Sequence, residues 1–212
     1  MLREGVSMPR LGQHLLSGML MALLPGIIVA PGASAQQADR PVLLPQTDVA
    51  VIYRIDNGPI RAAHRLQVTY TQGGERVRVD LFRWMEAKVP YRSIIFDRPA
   101  DRLTTVLPEQ RAYTVQPIGS VPNPGAFLTD SMVFARQAKA VVARAPCTEW
   151  EIVTPHDSTN GDKTCVTDDG VMLRVSSTRP SVASMTAVAI HFGAPPDGMF
   201  EPPDGFHRQT QP

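Results

Sequence analysis

The sequence predicts a mainly β protein built from one antiparallel sheet of about ten or eleven strands. Apolar and polar residues alternate with a period of two along most of the chain, and turn-forming residues recur roughly every 8–12 residues. The chain also contains just two cysteines, Cys147 and Cys165, at a spacing that fits two strands of a hairpin. Strands with one apolar and one polar face predict a sheet that curls around an apolar interior.

Residues 1–35 predict a cleaved secretory signal peptide. Two arginines precede a mostly apolar stretch, and Ala33-Ser34-Ala35 supplies the small residues of a cleavage site before Gln36. The apolar stretch is shorter than the ~20 residues that cross a bilayer, which disfavours a membrane-spanning anchor. No cysteine lies near the cleavage site, so lipid attachment is not expected there. We therefore expect a periplasmic or secreted protein, with Met8 as an alternative start site.

The chain left by this cleavage is electrically balanced. The full sequence has 21 basic and 20 acidic residues, and removal of residues 1–35 leaves 19 of each. A balanced protein has no overall field that attracts nucleic acid, so no nucleic-acid partner is expected. Residues 54–111 nevertheless carry ten arginines and one lysine against seven acidic residues. We interpret this excess as the solvated outer face of a sheet, with a lipid-headgroup or acidic-partner surface as the alternative.

The first half of the chain predicts an extended leader and then six strands. Pro41 and Pro45 keep the leader, residues 36–47, out of regular structure. Gly73-Gly74 and Pro108-Glu109-Gln110 mark two of the turns. The six predicted strands cover Val49–Ile55, Leu66–Tyr70, Val77–Leu81, Tyr91–Phe96, Leu103–Leu107 and Ala112–Gln116.

The second half is less regular. Residues 117–125 are rich in proline and glycine and predict a loop, and the alanine-rich stretch after them predicts a short helix at 127–133 followed by a strand at 138–145. Pro195-Pro196 and Pro202-Pro203 predict that strand pairing ends there, which leaves residues 207–212 as a tail. The remaining predicted elements are strands at 148–154, 164–167, 171–175 and 182–192, a polar loop at 155–163 and a hairpin turn at Asp168–Gly170.

Export and hairpin spacing together predict a disulfide between Cys147 and Cys165. Such a crosslink stabilises a fold by about 3 kcal/mol on chain-entropy reasoning. A redox or metal-binding role is less favoured, because the chain has no Cys-x-x-Cys and no matching histidine spacing. Alternation puts Trp150 on the opposite face of its strand from Cys147, which predicts a buried Trp150 and a disulfide near the surface.

Three segments resemble secreted bacterial proteins related to the periplasmic lipoprotein carrier LolA. These are Ala145–Trp150, Cys165–Arg174 and Met199–Phe206, and the pattern is also matched upstream by Arg76–Asp80, Ile94–Asp97 and Arg111–Tyr113. The resemblance spans about residues 48–206. It implies an unclosed β-barrel with a short helix or loop as a lid. The chain departs from the pattern before Ala145-Pro146, where a glycine is expected and Ala143-Arg144 stands instead.

The resemblance implies a concave apolar face that holds a lipid or lipoprotein acyl chain, or a segment of an envelope protein partner, in a carrier or sensor. The residues predicted to line that face are Val51, Tyr53, Val68, Tyr70, Leu81 and Trp150. The alternative is a structural or interaction domain whose barrel is filled by its own side chains. Whether the aromatic side chains leave a cavity or close it separates the two hypotheses; they are Tyr53, Tyr70, Trp84, Phe96 and Trp150.

Motifs of catalysis are missing from the sequence. It has no Gly-x-Ser-x-Gly elbow, no His-Glu-x-x-His helix, no phosphate-binding loop and no dinucleotide fingerprint. His156-Asp157-Ser158 contains the residue types of a catalytic triad, but three adjacent residues in one loop cannot adopt triad geometry. We therefore expect no enzymatic activity, no catalytic residues, no metal site and no cofactor.

Overall fold

A computed structural model describes residues 39–57, 63–120, 128–154, 157–177 and 183–210. They form one twelve-stranded sheet that is not closed into a barrel, with strand order β12-β6-β5-β4-β3-β2-β1-β11-β10-β9-β8-β7. Three short 3-10 turns, at Gln72–Gly74, Pro108–Gln110 and Ile118–Ser120, are its helical elements. The strands are β1 Val49–Asn57, β2 Arg65–Tyr70, β3 Arg76–Phe82, β4 Arg92–Asp97, β5 Arg102–Leu107, β6 Ala112–Gln116, β7 Val133–Val142, β8 Ala145–Thr154, β9 Asp157–Val166, β10 Met172–Ser176, β11 Ser184–Phe192 and β12 His207–Arg208. The predicted mainly β, unclosed architecture is confirmed.

Strands β1 to β6 form a simple antiparallel meander. The predicted Gly73-Gly74 turn joins β2 to β3, and both glycines have positive φ, near +66° and +65°. Glycine adopts this left-handed backbone at little cost, which explains the pair. The six strands predicted from apolar alternation agree with β1 to β6 to within two residues at each end.

Strands β7 to β11 form a second meander, which is joined to the first through antiparallel pairing of β11 with β1. Because β6 and β7 lie near opposite edges of the sheet, the connection between them, residues 117–132, runs from one half of the sheet to the other. In this connection, Ile118 and Leu128 pack against the main hydrophobic cluster. Residues 121–127 lie outside the described part.

The second half of the sheet is strongly curved. Strands β7 and β11 are separated by three intervening strands, which would put them about 19 Å apart in a flat sheet. Their Cα atoms nevertheless approach within 8 Å of each other. One face of the sheet is therefore an inner, concave face, and the other is an outer face.

Three elements differ from those predicted. The helix expected at 127–133 is not formed over its described residues: a turn occupies 130–131 and β7 begins at Val133, since neighbouring β8 satisfies the backbone of this alanine-rich stretch. The strand predicted at 138–145 ends earlier, at Val142, because a two-residue turn follows it. The loop predicted at 155–163 is also wrong, because β9 already starts at Asp157 and pairs with β8.

The C-terminal segment is not a free tail. His207 and Arg208 form β12, which pairs in parallel with Ala112 and Tyr113 of β6, so pairing resumes after the prolines. Upstream of it, Phe200 is buried on the outer face of the first meander against Ile95 and Val106.

A polar cluster lies beneath the same segment. Arg78 Nε donates to Asp80 Oδ1 over 2.9 Å, and Arg78 Nη1 donates to the carbonyl oxygen of Met199 over 2.7 Å. The hydroxyl of Ser93, which is fully buried, donates to Asp80 over 2.5 Å. Each buried charge therefore has hydrogen-bond partners, as burial requires.

The leader packs against turns of both meanders. Gly73 N donates to the carbonyl of Pro45 over 2.8 Å, and Gln46 N donates to the carbonyl of Asp169 over 2.9 Å. Asp48 also accepts a hydrogen bond from Gln72 N over 2.7 Å. These contacts place the leader across one end of the sheet.

Candidate functional site: the inner face of the sheet

The inner face carries one continuous hydrophobic cluster, to which β1–β5, β7–β11 and the β6–β7 connection contribute side chains. Five of the six residues predicted to line a concave face belong to it, and each is at most 6% exposed: Val51, Tyr53, Val68, Tyr70 and Leu81. The structure thus brings these five together on one surface.

Strand register orders the cluster into rows that cross the first meander. One row is Val49, Tyr70, Val77 and Phe96, and the next is Val51, Val68, Val79 and Ile94. A third row contains Tyr53, Leu66 and Leu81. Directly opposed apolar side chains on neighbouring strands are the packing unit that stabilises a sheet.

Tyr53 is fully buried in the third row, and its hydroxyl donates to the backbone carbonyl of Met172 over 2.5 Å. Burial raises the pKa of Tyr53 well above its ordinary value, and the nearby Tyr70 adds to this effect. Burial likewise raises the pKa of Tyr70, although Arg98 partly opposes the rise. Both phenols therefore remain neutral throughout the physiological range.

The disulfide between Cys147 and Cys165 lies within this same cluster, with a Cα–Cα distance of 5.6 Å. Glu149 is the residue that stands opposite Cys165, so the bond joins β8 and β9 diagonally. Both cysteines are almost completely buried, which corrects the prediction of a disulfide near the surface. The reason is that the face of β8 that carries Cys147 is the one that turns inward.

Trp150 is buried as predicted, but it lies on the opposite, outer face of β8 and does not belong to the inner cluster. The guanidinium of Arg136 stands 5.4 Å from the centre of its ring. Beside it is a small cleft of about 140 Å³, to which the leader contributes Pro41 and Val42. Trp150 therefore does not share a surface with the other five predicted residues.

The remaining aromatic residues divide between interior and solvent. Phe96 belongs to the inner cluster, whereas Trp84 is 63% exposed. Sequence reasoning did not single out several other members of the inner cluster, which are Leu103, Leu173, Met185 and Ala187. Met185 and Ala187 had a period-two signal, whereas Leu173 lies at an irregularity in the pairing of β10 with β9.

The inner face also contains a polar pair, on β8 and β10. Arg174 makes an ion pair with Glu149, and both side chains are about 30% exposed (32% and 29%). Glu149 on β8 and Arg174 on β10 both stand opposite Cys165 of β9, so the ion pair borders the disulfide. The inner face is therefore apolar on the first meander and amphipathic on the second.

Two further features bear on function. Across the ranges that the structure describes, no cluster of three or more histidine, cysteine or acidic residues is arranged to hold a metal ion. The same ranges contain no helix with the length and apolar character needed to span a membrane.

Comparison with known proteins gives a likeness of fold. No family model matches the chain, and no curated protein matches it significantly. Among solved structures, an uncharacterized conserved protein from Thermus thermophilus is 9% identical, with a TM-score of 0.52 over 77% of this chain and 90% of that one. At this identity the likeness concerns the fold alone.

Two other solved structures are less similar. One is the MucA/MucB complex of Pseudomonas aeruginosa, which is 13% identical with a TM-score of 0.43 over 74% of this chain and 56% of that one. The other is a LolA superfamily protein from Nitrosomonas europaea, which is 12% identical with a TM-score of 0.38 over 76% of this chain and 92% of that one.

Proposed function

We propose that this chain is an exported envelope protein whose inner face binds an apolar ligand, either an acyl chain or a hydrophobic segment of a lipoprotein. The observation that carries the proposal is the set of three apolar rows, which lie in register on the concave side of an open sheet. Each buried methylene of an acyl chain would contribute roughly 0.8 kcal/mol against such a surface.

Ligand entry requires movement of the chain that covers the rows. Ile118 and Leu128 pack against the inner cluster from the β6–β7 connection. Ile118 and Leu128 belong to a connection and not to a strand of the sheet. The two side chains can therefore move away from the inner cluster while the strand pairing stays intact. The described ends of the β6–β7 connection, residues 117–120 and 128–132, are therefore the proposed lid.

Binding of a fluorescent fatty acyl probe tests the proposal. Val68 is 2% exposed at the centre of the second row, so Val68→Asp should abolish saturable binding. Val141→Asp is the matched control, because Val141 is 72% exposed on β7 and alternates with Val142, whose side chain belongs to the inner cluster. Circular dichroism and disulfide mapping establish that both variants fold; if Val68→Asp does not, Leu128→Trp replaces it, since added bulk at the lid should also lower binding.

A second candidate function has its own support. Val51 and Tyr53 are fully buried by side chains of the chain itself, and the Tyr53 hydroxyl already has a partner. This favours a structural or protein-interaction domain with a filled interior. If the wild type shows no saturable binding of the fluorescent acyl probe, this second candidate function is the one that stands.

Export to the periplasm or medium is the accompanying proposal. The Cys147–Cys165 disulfide supports it, because such bonds persist in oxidising compartments. The predicted signal peptide lies outside the described residues. N-terminal sequencing of protein recovered from the envelope should give Gln36 as the first residue, and recovery of residues 8–35 in the membrane fraction would contradict cleavage.

A further inference from the structure

The loop that joins β3 to β4, residues 83–91, presents apolar side chains to solvent. Trp84 is 63% exposed and Val89 is 68% exposed, which makes them two of the most exposed large apolar residues in the described part of the chain. A cleft of about 360 Å³ lies between them and Pro108 of the neighbouring turn. Two exposed apolar side chains at one cleft make this loop a candidate interaction site.

The loop is held in a defined conformation. Arg65 donates from its two terminal nitrogens to the carbonyl oxygens of Met85 and Ala87, each over 2.5 Å. The ring of His64 stacks on Trp84 with a centroid distance of 5.4 Å and an interplanar angle of 17°. The base of the loop is closed by a hydrogen bond from Tyr91 N to the carbonyl of Leu81 over 2.9 Å. Trp84 and Val89 are therefore presented by a fixed backbone.

Several basic residues lie in this loop and in the strands beside it. Lys88 and Arg92 are exposed, and neither has an ion-pair partner among the residues that the structure describes. Arg83 pairs with Glu109 over 3.2 Å. With Arg65 included, four basic residues accompany two acidic ones, Glu86 and Glu109, so the loop and its surroundings carry a net positive charge.

We propose that the 83–91 loop docks the protein on an anionic lipid surface. Tryptophan partitions to the boundary between headgroups and acyl chains, and basic residues beside it are attracted to anionic headgroups. Trp84 and Val89 protrude from the loop, and a deformable bilayer surface accepts protruding side chains without a preformed pocket. The unpaired charge of Lys88 matches an anionic surface, and Arg92, which stands opposite Leu81 at the end of the third inner row, adds a positive charge at the border of the inner face.

Co-sedimentation of the mature protein with vesicles tests the proposal. Binding is expected to vesicles of phosphatidylcholine mixed with phosphatidylglycerol, and not to phosphatidylcholine alone. The double variant Trp84→Ala/Val89→Ser should lower the partition coefficient by about tenfold or more. Lys88→Gln/Arg92→Gln should weaken binding at low salt but not at about 1 M salt, where the screening length is about 3 Å.

Matched controls use exposed residues elsewhere. Val141 is 72% exposed at the far edge strand, and Lys139 is exposed on the same strand, so Val141→Ser and Lys139→Gln should leave vesicle binding unchanged. Quenching by brominated lipids adds a local readout, because the chain has just two tryptophans and Trp150 is 4% exposed. Trp84→Phe should keep binding while removing the quenched emission.

Three results would overturn the proposal. The first is no binding to anionic vesicles at low salt. The second is equal loss of binding in Trp84→Ala/Val89→Ser and in Val141→Ser. The third is a shift of Trp84 emission with an acidic peptide but not with vesicles, which would assign the loop to a protein partner instead.

Discussion

Tyr53 shows how one side chain links the polar and apolar parts of the inner face. Its ring belongs to the third apolar row, while its hydroxyl reaches past β11 to the Met172 carbonyl on β10. One residue thereby ties the two meanders together. A neutral hydrogen bond of this kind contributes about 1 kcal/mol, and burial of the ring adds to that.

This burial predicts a pH dependence of stability. The pKa of Tyr53 is raised by folding, so its contribution is fully present below the unfolded-state pKa of about 10 and is lost as the pH rises towards the folded-state pKa. Burial raises the pKa of Tyr70 in the same direction. The unfolding free energy should be level up to about pH 10 and then fall by up to ~1.4 kcal/mol per pH unit for each tyrosine.

Tyr53→Phe isolates one of the two contributions. Denaturant titrations between about pH 8 and pH 11 should show a shallower alkaline decline in this variant than in the wild type, together with a loss of about 1 kcal/mol at neutral pH. An unchanged alkaline slope would mean that the phenol of Tyr53 is reached by solvent in the folded protein.

At the scale of elements, the hairpin between β7 and β8 has an unfavourable turn. Ala143 and Arg144 connect Val142 to Ala145, and their φ angles are +49° and +66°. A two-residue hairpin turn with both φ angles positive favours Asn-Gly, because a Cβ atom is strained in this backbone region. This backbone is the one in which the expected glycine would be favoured, and nothing in the structure explains why Ala143-Arg144 stands there instead.

Arg144→Gly should therefore stabilise the protein by about 0.5–1 kcal/mol, measured by the midpoint of thermal or denaturant unfolding. Ala145→Gly is the matched control at the next position, where the backbone is already a strand. There glycine should destabilise by roughly 0.5–1 kcal/mol. A loss of stability in Arg144→Gly would show that the arginine side chain contributes more than its backbone strain costs.

The elements also show what sequence patterns can and cannot determine. Alternation predicted β1 to β4 because each of these strands carries apolar residues at every second position on the inner face. It placed Cys147 and Trp150 on opposite faces correctly, but which of those faces turns inward depends on the curvature that brings β7 near β11. The helix expected at 127–133 was wrong because alanine propensity is a local preference, whereas the pairing of β7 with β8 is a tertiary interaction.

At the scale of the whole molecule, the leader joins the two meanders at one end of the sheet. Its Leu44 lies against Gly74 of the β2–β3 turn and Gly170 of the β9–β10 turn. Two glycines at the ends of separate hairpins thus make room for one segment. Composition predicted the leader's extended form, but its contact with both turns is a long-range property that no local pattern contains.

Gly170 and Gly73 provide a direct test of this contact. Both have positive φ, near +85° and +66°, so alanine is strained at each. A Cβ at Gly170 would lie 2.8 Å from the carbonyl carbon of Leu44 and closer still to its oxygen, whereas a Cβ at Gly73 would have no atom within 4 Å. We expect Gly73→Ala to destabilise by about 1 kcal/mol and Gly170→Ala by about 2–4 kcal/mol.

The same pair of substitutions, made in a chain that begins at Thr47, completes the test. Without residues 36–46 the atoms that oppose a Cβ at Gly170 are gone, because they belong to Leu44 and Val42. Gly170→Ala should then cost about as much as Gly73→Ala, which is the strain of the left-handed backbone alone, or about 1 kcal/mol. Denaturant unfolding of the four variants and the two parent chains measures this coupling. If the excess cost of Gly170→Ala persists in the shortened chain, the leader does not form that contact in solution, and the two meanders are held together by the β1–β11 pairing without it.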